Sequence, residues 1–264
     1  MKLGVMLSVR DFKDLSILEA DFSELLLFEG DLVHTNASQL SKLRDARPRI
    51  DFVHAQEFVE LEGGTRLLDL TSEDPILRKL SIDTVAKTRA LATSLGKAPV
   101  VIHPGGIRTS ASDHVVLMRG LMESLSQLGT ERLLLENMPW YYWQKGKGRM
   151  VSNVCVTVEE ILQVSDLLSG LVLDTAHGYL STIDGSQAFL DSFVDSAGDK
   201  LKHIHVSDAR APDKEGLQIG DGDIDFSFLA KIHVPMIVEI WNGHEKEGLG
   251  FREGIVRLRR MSLG

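Results

Sequence analysis

Gly170-Leu-Val-Leu-Asp-Thr-Ala-His177 sets the reading of this chain: a small apolar run leads straight into a carboxylate, and an imidazole follows three positions later. A short leucine- and valine-rich run without polar alternation reads as a strand buried on both faces, as in a parallel sheet. The same grammar recurs along the sequence. Ile50-Asp-Phe-Val-His54, Pro99-Val-Val-Ile-His103, Arg132-Leu-Leu-Leu-Glu136, Lys202-His-Ile-His205 and Met236-Ile-Val-Glu239 each close an apolar run on a residue able to bind a metal. A polar group ending a buried strand costs stability unless it is solvated or bound. Six such endings therefore point to one shared purpose.

Working outward, eight strands are expected, at 2–9, 21–28, 50–58, 99–103, 132–136, 171–174, 202–206 and 236–240. Helical stretches fall between them: a weak one near 11–20, then 75–95, 114–128, 157–168, 185–197, 226–232 and 252–260. Asp74-Pro75 is a start signal with proline at the first helical position, and Thr157-x-x-Glu160 is a capping box. Gly96, Gly129 and Gly170 mark helix ends. Eight strand–helix units without long gaps predict an α/β fold, a closed (β/α)8 TIM barrel forming one domain over residues 1–264. In such a barrel the carboxyl ends of the strands meet in one mouth, where the chemistry is found. Side chains alternate between faces, so Phe52 with His54, Leu134 with Glu136, and His203 with His205 each share a face. His203, the deeper of its pair, is expected to pack the interior.

The composition narrows the setting. The chain has 264 residues, is 43% hydrophobic and carries a formal net charge of −9. That balance gives no global attraction to polyanions, although a local basic strip can suffice for nucleic acid. One cysteine, Cys155, excludes an internal disulfide and suits a reducing, cytoplasmic setting. The opening run is too short for a secretory segment, and no stretch approaches a membrane span.

Three carboxylates and one imidazole around one ion (Glu136, Asp174, His205, Glu239) make an oxygen-rich site suited to Mn²⁺, Mg²⁺ or Co²⁺. His54 and His103, with Glu136 bridging, add a nitrogen-rich site suited to Zn²⁺. A divalent ion that holds a carbonyl and its neighbouring hydroxyl acidifies the adjacent C–H. Glu136 and Glu239 are then the expected proton carriers. A single histidine closing a strand is often only a hydrogen-bonded framework residue; the set carries the expectation.

These stretches resemble the xylose isomerase-like, or AP endonuclease type 2, TIM-barrel superfamily. The resemblance rests on Val101-Ile-His-Pro-Gly-Gly106, Leu135-Glu-Asn-Met-Pro139, Leu173-Asp-Thr-Ala-His177, His203-Ile-His-Val-Ser-Asp208, Gly220-Asp-Gly-Asp-Ile-Asp225 and Val238-Glu-Ile240, in the family's order. It implies a metal-dependent sugar isomerase or epimerase acting on a small ketose, polyol or hydroxy-carbonyl compound. Glu136, Asp174, His205 and Glu239 then stand as metal ligands and His177 as a catalytic residue touching substrate. His54 and His103 match metal-binding histidines of endonuclease IV and, in the epimerase reading, would contact substrate. The alternative is a Zn²⁺-dependent AP endonuclease or phosphodiesterase; a third reading is a barrel that binds a sugar or metal without turnover. The family's Asp-x-His pair is missing from 212–220, which weakens the nuclease reading unless Asp213 or Glu215 substitutes.

The segment Pro139-Trp-Tyr-Tyr-Trp-Gln-Lys-Gly-Lys-Gly-Arg149 follows the fifth strand. It reads as a lid, with Trp140 stacking on a sugar and Lys145 meeting an anionic group. A nucleic-acid platform or a homo-oligomer contact would use the same residues. Asn137 is expected to touch substrate or to satisfy loop backbone, and Asp208 to orient His205 or to act as a cap.

Overall fold

The computed structural model describes residues 1–9, 18–144 and 146–261. Eight parallel strands close on themselves: β1 (Leu3–Ser8), β2 (Phe22–Leu26), β3 (Ile50–His54), β4 (Val100–Ile102), β5 (Leu133–Glu136), β6 (Gly170–Asp174), β7 (Leu201–Val206) and β8 (Met236–Val238). Closure is made by β1, whose Val5 pairs with Val238 on one side and with Ser23 on the other. All eight expected strands are present, most of them apolar runs with both faces covered.

The helices Pro75–Ser94 and His114–Leu128 begin on Asp74 and Asp113, whose side chains accept from the backbone amides of Ile76 and Val115. The capping box of Thr157 and Glu160 forms with both halves in place and opens the helix Val158–Val164. Side chains such as Phe22, Leu25, Val101, Leu135, Leu173, Ile204 and Ile237 are sealed from solvent. At roughly 1.5–3 kcal/mol for each fully buried large apolar side chain, this core can carry a costly polar cluster at one end.

Several expectations needed correction. The strand expected over 50–58 stops at His54; Phe58–Leu61 instead pairs antiparallel with Gly64–Leu67. The segment 226–232 is a 3-10 helix, Phe226–Lys231. The last helix is longer than expected, Glu245–Met261, and kinks where Lys246, Glu247 and Gly248 take positive φ. Two unexpected helices, Asp31–His34 and Ala37–Arg44, precede β3, the second opened by a capping box of Asn36 and Gln39. Most of the weak helix near 11–20 lies outside the described residues.

Besides Phe58–Leu61 with Gly64–Leu67, two further small sheets follow the carboxyl ends of strands. Ile107–Arg108 pairs with Gly148–Ser152, which pairs with Tyr141–Gln144; Asp208–Arg210 pairs with Lys214–Leu217. These short pieces wall the mouth of the barrel. Among the described residues, no helix is long and apolar enough to cross a membrane.

Candidate metal centre

The strand ends bring all six expected positions together. His54, Glu136 and Asp174 are the last residues of β3, β5 and β6, His205 is the penultimate residue of β7, and His103 and Glu239 directly follow β4 and β8. Asp174 also caps the short helix Thr175–Tyr179 by accepting from the His177 amide at 2.6 Å. That turn folds His177 back over the strand ends.

Glu136 is the hub. Its Oε2 lies 3.3 Å from His54 Nε2 and 3.3 Å from His205 Nδ1, and its Oε1 lies 3.4 Å from His103 Nε2 and 3.1 Å from His177 Nδ1. Potential ligand atoms cluster as four overlapping groups: His54, His103 and Glu136; Glu136, Asp174 and His177; Asp174, His205 and Glu239; and, deeper in the barrel, Glu24, His54 and His205.

His54 Nδ1 lies 2.8 Å from the Ala55 carbonyl, so that nitrogen donates. In the neutral ring Nε2 then carries a lone pair aimed at the Glu136 carboxylate, and something positive must stand between them. His205 Nδ1 and Glu239 Oε2 are 2.9 Å apart, yet both are buried without a hydrogen bond. Orphaned donor atoms of mixed imidazole and carboxylate type fit a divalent transition ion. Without an ion, protons fill the role. Burial opposes a charge on His54, but the Glu136 contact outweighs it and pushes the pKa up to about 9. Burial would likewise raise Glu136, but the imidazoles of His205, His103 and His177 hold it well below the carboxylate range.

This has a consequence for stability. A histidine pKa raised from 6.5 to about 9 stabilises the fold fully below pH 6.5 and less as pH climbs through 9. Protonated His54 in its surroundings, burial, Glu136, Glu24 and His205 together, contributes about 3 kcal/mol by that linkage. Metal-free protein should therefore lose thermal stability between pH 6.5 and 9, whereas protein loaded with Zn²⁺ or Mn²⁺ should change less, the cation having replaced the proton. Melting temperatures across that range test this; a flat metal-free profile would refute it.

Above the cluster lies a cavity of about 220 Å³. His103, Asp174, His177 and Glu239 form its floor, and Tyr142, Trp143, Glu215 and Trp241 are among its walls. None of the described residues lining it is a lysine or arginine. A wider cavity of about 560 Å³ adjoins it through Leu26, Glu57, Glu239 and Trp241. Gly216, at φ +66, lets Trp241 lie against the backbone, where a Cβ would collide with the indole.

Other expected site residues are placed differently. Asn137 does not face the cavity: its amide accepts from the Asp174 amide at 2.8 Å and donates to the Asp174 carbonyl at 3.1 Å, clamping β5 to β6. Trp140 is 39% exposed and does not line the cavity; Trp143 does. Lys145 lies outside the described residues. Arg149 is held by Asp213 and lies over the Tyr141 ring at 4.6 Å. Asp208 orients no histidine; it accepts from the amides of Ala209, Gly220, Gly222 and Ile224 and shapes that loop. Glu136, expected as a proton carrier, is sealed beneath the cavity, with its oxygens turned to four imidazoles.

Three carboxylates enter that the sequence reading did not assign. Glu24 of β2 is fully buried against His203 and His205. Glu57 lines both cavities. Glu215, named only as a possible substitute, has Oε2 3.5 Å from His177 Nε2, and burial pushes its pKa up to about 7. Burial also raises Asp174, to about 6.

Comparison with known proteins places the fold. The profile of the xylose isomerase-like TIM barrel matches residues 26–261. A probable endonuclease 4 from Thermoplasma acidophilum is 28% identical over 170 residues, 60% of this chain and 57% of that protein. The match thus spans little more than half of that relative. A D-tagatose 3-epimerase-like protein superposes with a TM-score of 0.72 at 21% identity, covering 100% of this chain and 98% of the other. Endonuclease IV from Thermus thermophilus superposes at 0.66 and 18% identity, covering 98% and 100%. At these identities the two superpositions speak for the fold alone.

Proposed function

This chain belongs to the xylose isomerase-like TIM-barrel family, and on that premise we propose that it is a divalent-metal-dependent isomerase or epimerase of a small, uncharged hydroxy-carbonyl compound. The observation that carries this reading is the cavity. Over the cluster itself its 220 Å³ falls below the roughly 300–1,000 Å³ usual for drug-sized ligands, with the 560 Å³ cavity opening beside it past Glu239 and Trp241. Its walls offer aromatic faces to a sugar ring and carboxylates to its hydroxyls, and none of the described residues lining it is a cation that could meet a phosphate.

Glu136, Asp174, His205 and Glu239 would hold the principal ion, with His54 and His103 available to a second. The bound cation supplies polarisation of the substrate carbonyl, which acidifies the neighbouring C–H. The chain does the rest. Trp143 and Trp241 position the ring and exclude water from the mouth. His177 donates from Nδ1 to the Asn137 carbonyl at 3.0 Å, leaving Nε2 to orient a substrate hydroxyl. Glu239 takes the C–H proton, and Glu215, held near neutrality in pKa, returns one.

One observation favours a second reading, an endonuclease IV-like phosphodiesterase using Zn²⁺: the nitrogen-rich trio His54, His103 and Glu136. Against it, flanking phosphates of a DNA strand need rim lysines or arginines. Of the described basic residues near the mouth, Arg149 is already paired with Asp213 and Arg108 with Asp69 at 2.7 Å, which leaves exposed Lys147 on the same loop to serve that role.

The test is incubation of Mn²⁺- or Co²⁺-loaded protein with a panel of ketoses and aldoses in D₂O. Solvent deuterium should enter a substrate carbon, and chelation should stop it. Nicking of abasic-site DNA without any deuterium uptake across the panel would overturn the proposal in favour of the second reading.

A further inference from the structure

Glu24 is a carboxylate in the middle of a barrel strand, fully buried, with no counterpart in the strand-end pattern. Its Oε2 lies 2.7 Å from His203 Nε2 and 3.3 Å from His205 Nε2. His203 is itself fixed: its ring nitrogens lie 2.9 Å from the Pro235 carbonyl and 2.7 Å from Glu24, and the ring stacks on Phe52 with centroids 3.9 Å apart. The edge of Phe22 closes the other side at 5.9 Å. The carboxylate thus has one place to be.

We propose that Glu24 is a positioning residue that decides which ring nitrogen of His205 faces the cation. A neutral imidazole carries one N–H. On the mouth side, His205 Nδ1 faces two carboxylates, Glu239 at 2.9 Å and Glu136 at 3.3 Å. Left to those neighbours, the single proton would sit on Nδ1 and block it as a ligand. Glu24 offers a competing acceptor on the opposite side, the only carboxylate recorded against Nε2 among the described residues. With the proton held on Nε2, the Nδ1 lone pair is free to point into the centre. Carboxylates behind metal-binding histidines commonly act this way, and losing one typically costs 10–100-fold in metal affinity. The partner is unusual in coming from a different strand, β2, than any of the expected ligands.

The inference rests on the metal centre, and not on the reaction proposed for it. Two measurements test it. In Zn²⁺-loaded wild-type protein with ¹⁵N-labelled histidine, His205 should show a metal-bound Nδ1 and a protonated, slowly exchanging Nε2. This reading needs no variant to fold. Glu24→Gln should then bind Zn²⁺ 10–100-fold more weakly by competition titration, with the Nε2 proton exchanging faster. The melting temperature of the metal-free variant separates this from mere loosening, which would lower melting without changing affinity. Coordination of wild-type His205 through Nε2, or wild-type affinity in Glu24→Gln, overturns the inference. So does loss of one whole equivalent of Zn²⁺ with the remaining affinity unchanged, which would make Glu24 a ligand. Wild-type protein that binds no Zn²⁺ would instead fail the metal centre itself.

Discussion

Glu136→Gln is expected to weaken divalent-metal binding by between about a hundredfold and several thousandfold, the equivalent of the ~3–5 kcal/mol lost when one partner of a buried charged pair is removed. The substitution keeps shape and one carbonyl oxygen but deletes the negative charge on which four imidazoles converge at 3.1–3.4 Å. Without that charge the imidazoles lose the carboxylate they share, and only Asp174 and Glu239 remain to offset the ion's charge in a buried setting. Glu57→Gln is the matched control. Glu57 lies 4.0 Å from His103 Nδ1 and is far more exposed, so its loss should change affinity less than about fivefold, as for other weak surface pairs. Titration with Mn²⁺ and Zn²⁺ under the same buffer reads both variants. Equal losses in the two, or none in Glu136→Gln, would mean that the hub does not organise an ion.

Why Glu136 could be picked from the sequence, and Glu24 could not, follows from where each sits in its strand. Glu136 ends Leu133-Leu-Leu-Glu, and a charge closing a buried run is costly enough to need a reason. Glu24 lies inside Phe22-Ser-Glu-Leu-Leu. Its parity, shared with Phe22 and Leu26, puts it in the barrel interior, but one interior charge has no partner visible in the linear chain. Its partners, His203 and His205, are about 180 residues away, and only closure of the barrel brings β2 near β7. The mouth pieces were hidden for another reason. Gly148–Ser152 and Lys214–Leu217 are short and carry glycine or charge, and Tyr141–Gln144, although aromatic and strand-prone, is only four residues long and reads equally as an aromatic loop. Local hydrogen bonding decided the rest. Asn137 and Asp208 are polar residues beside the ligands, but unpaired backbone amides claimed them before any substrate could. The eight barrel strands and the two capped helices were legible because each depends on signals within its own segment.

Glu239→Gln is expected to lower the rate of substrate C–H exchange by about 10²–10⁴-fold at saturating metal, the usual worth of a positioned general base. Glu239 lines the cavity with its side chain 31% exposed, whereas the Glu136 side chain is 2% exposed. Of the two glutamates expected to carry protons, only Glu239 can reach a substrate carbon. Because it is also a proposed ligand, metal occupancy must be matched before rates are compared. Glu215→Gln supplies the complementary result. Burial pushes the Glu215 carboxyl up to about 7 in the metal-free protein, and a nearby cation would draw it lower. If it returns the proton as an acid, forward exchange should fall as pH rises through a value at or below about 7. Glu215→Gln should slow exchange and erase that limb. A pH profile that keeps its limb in Glu215→Gln would remove this residue from the mechanism. Unchanged exchange in Glu239→Gln would remove the proton transfer itself.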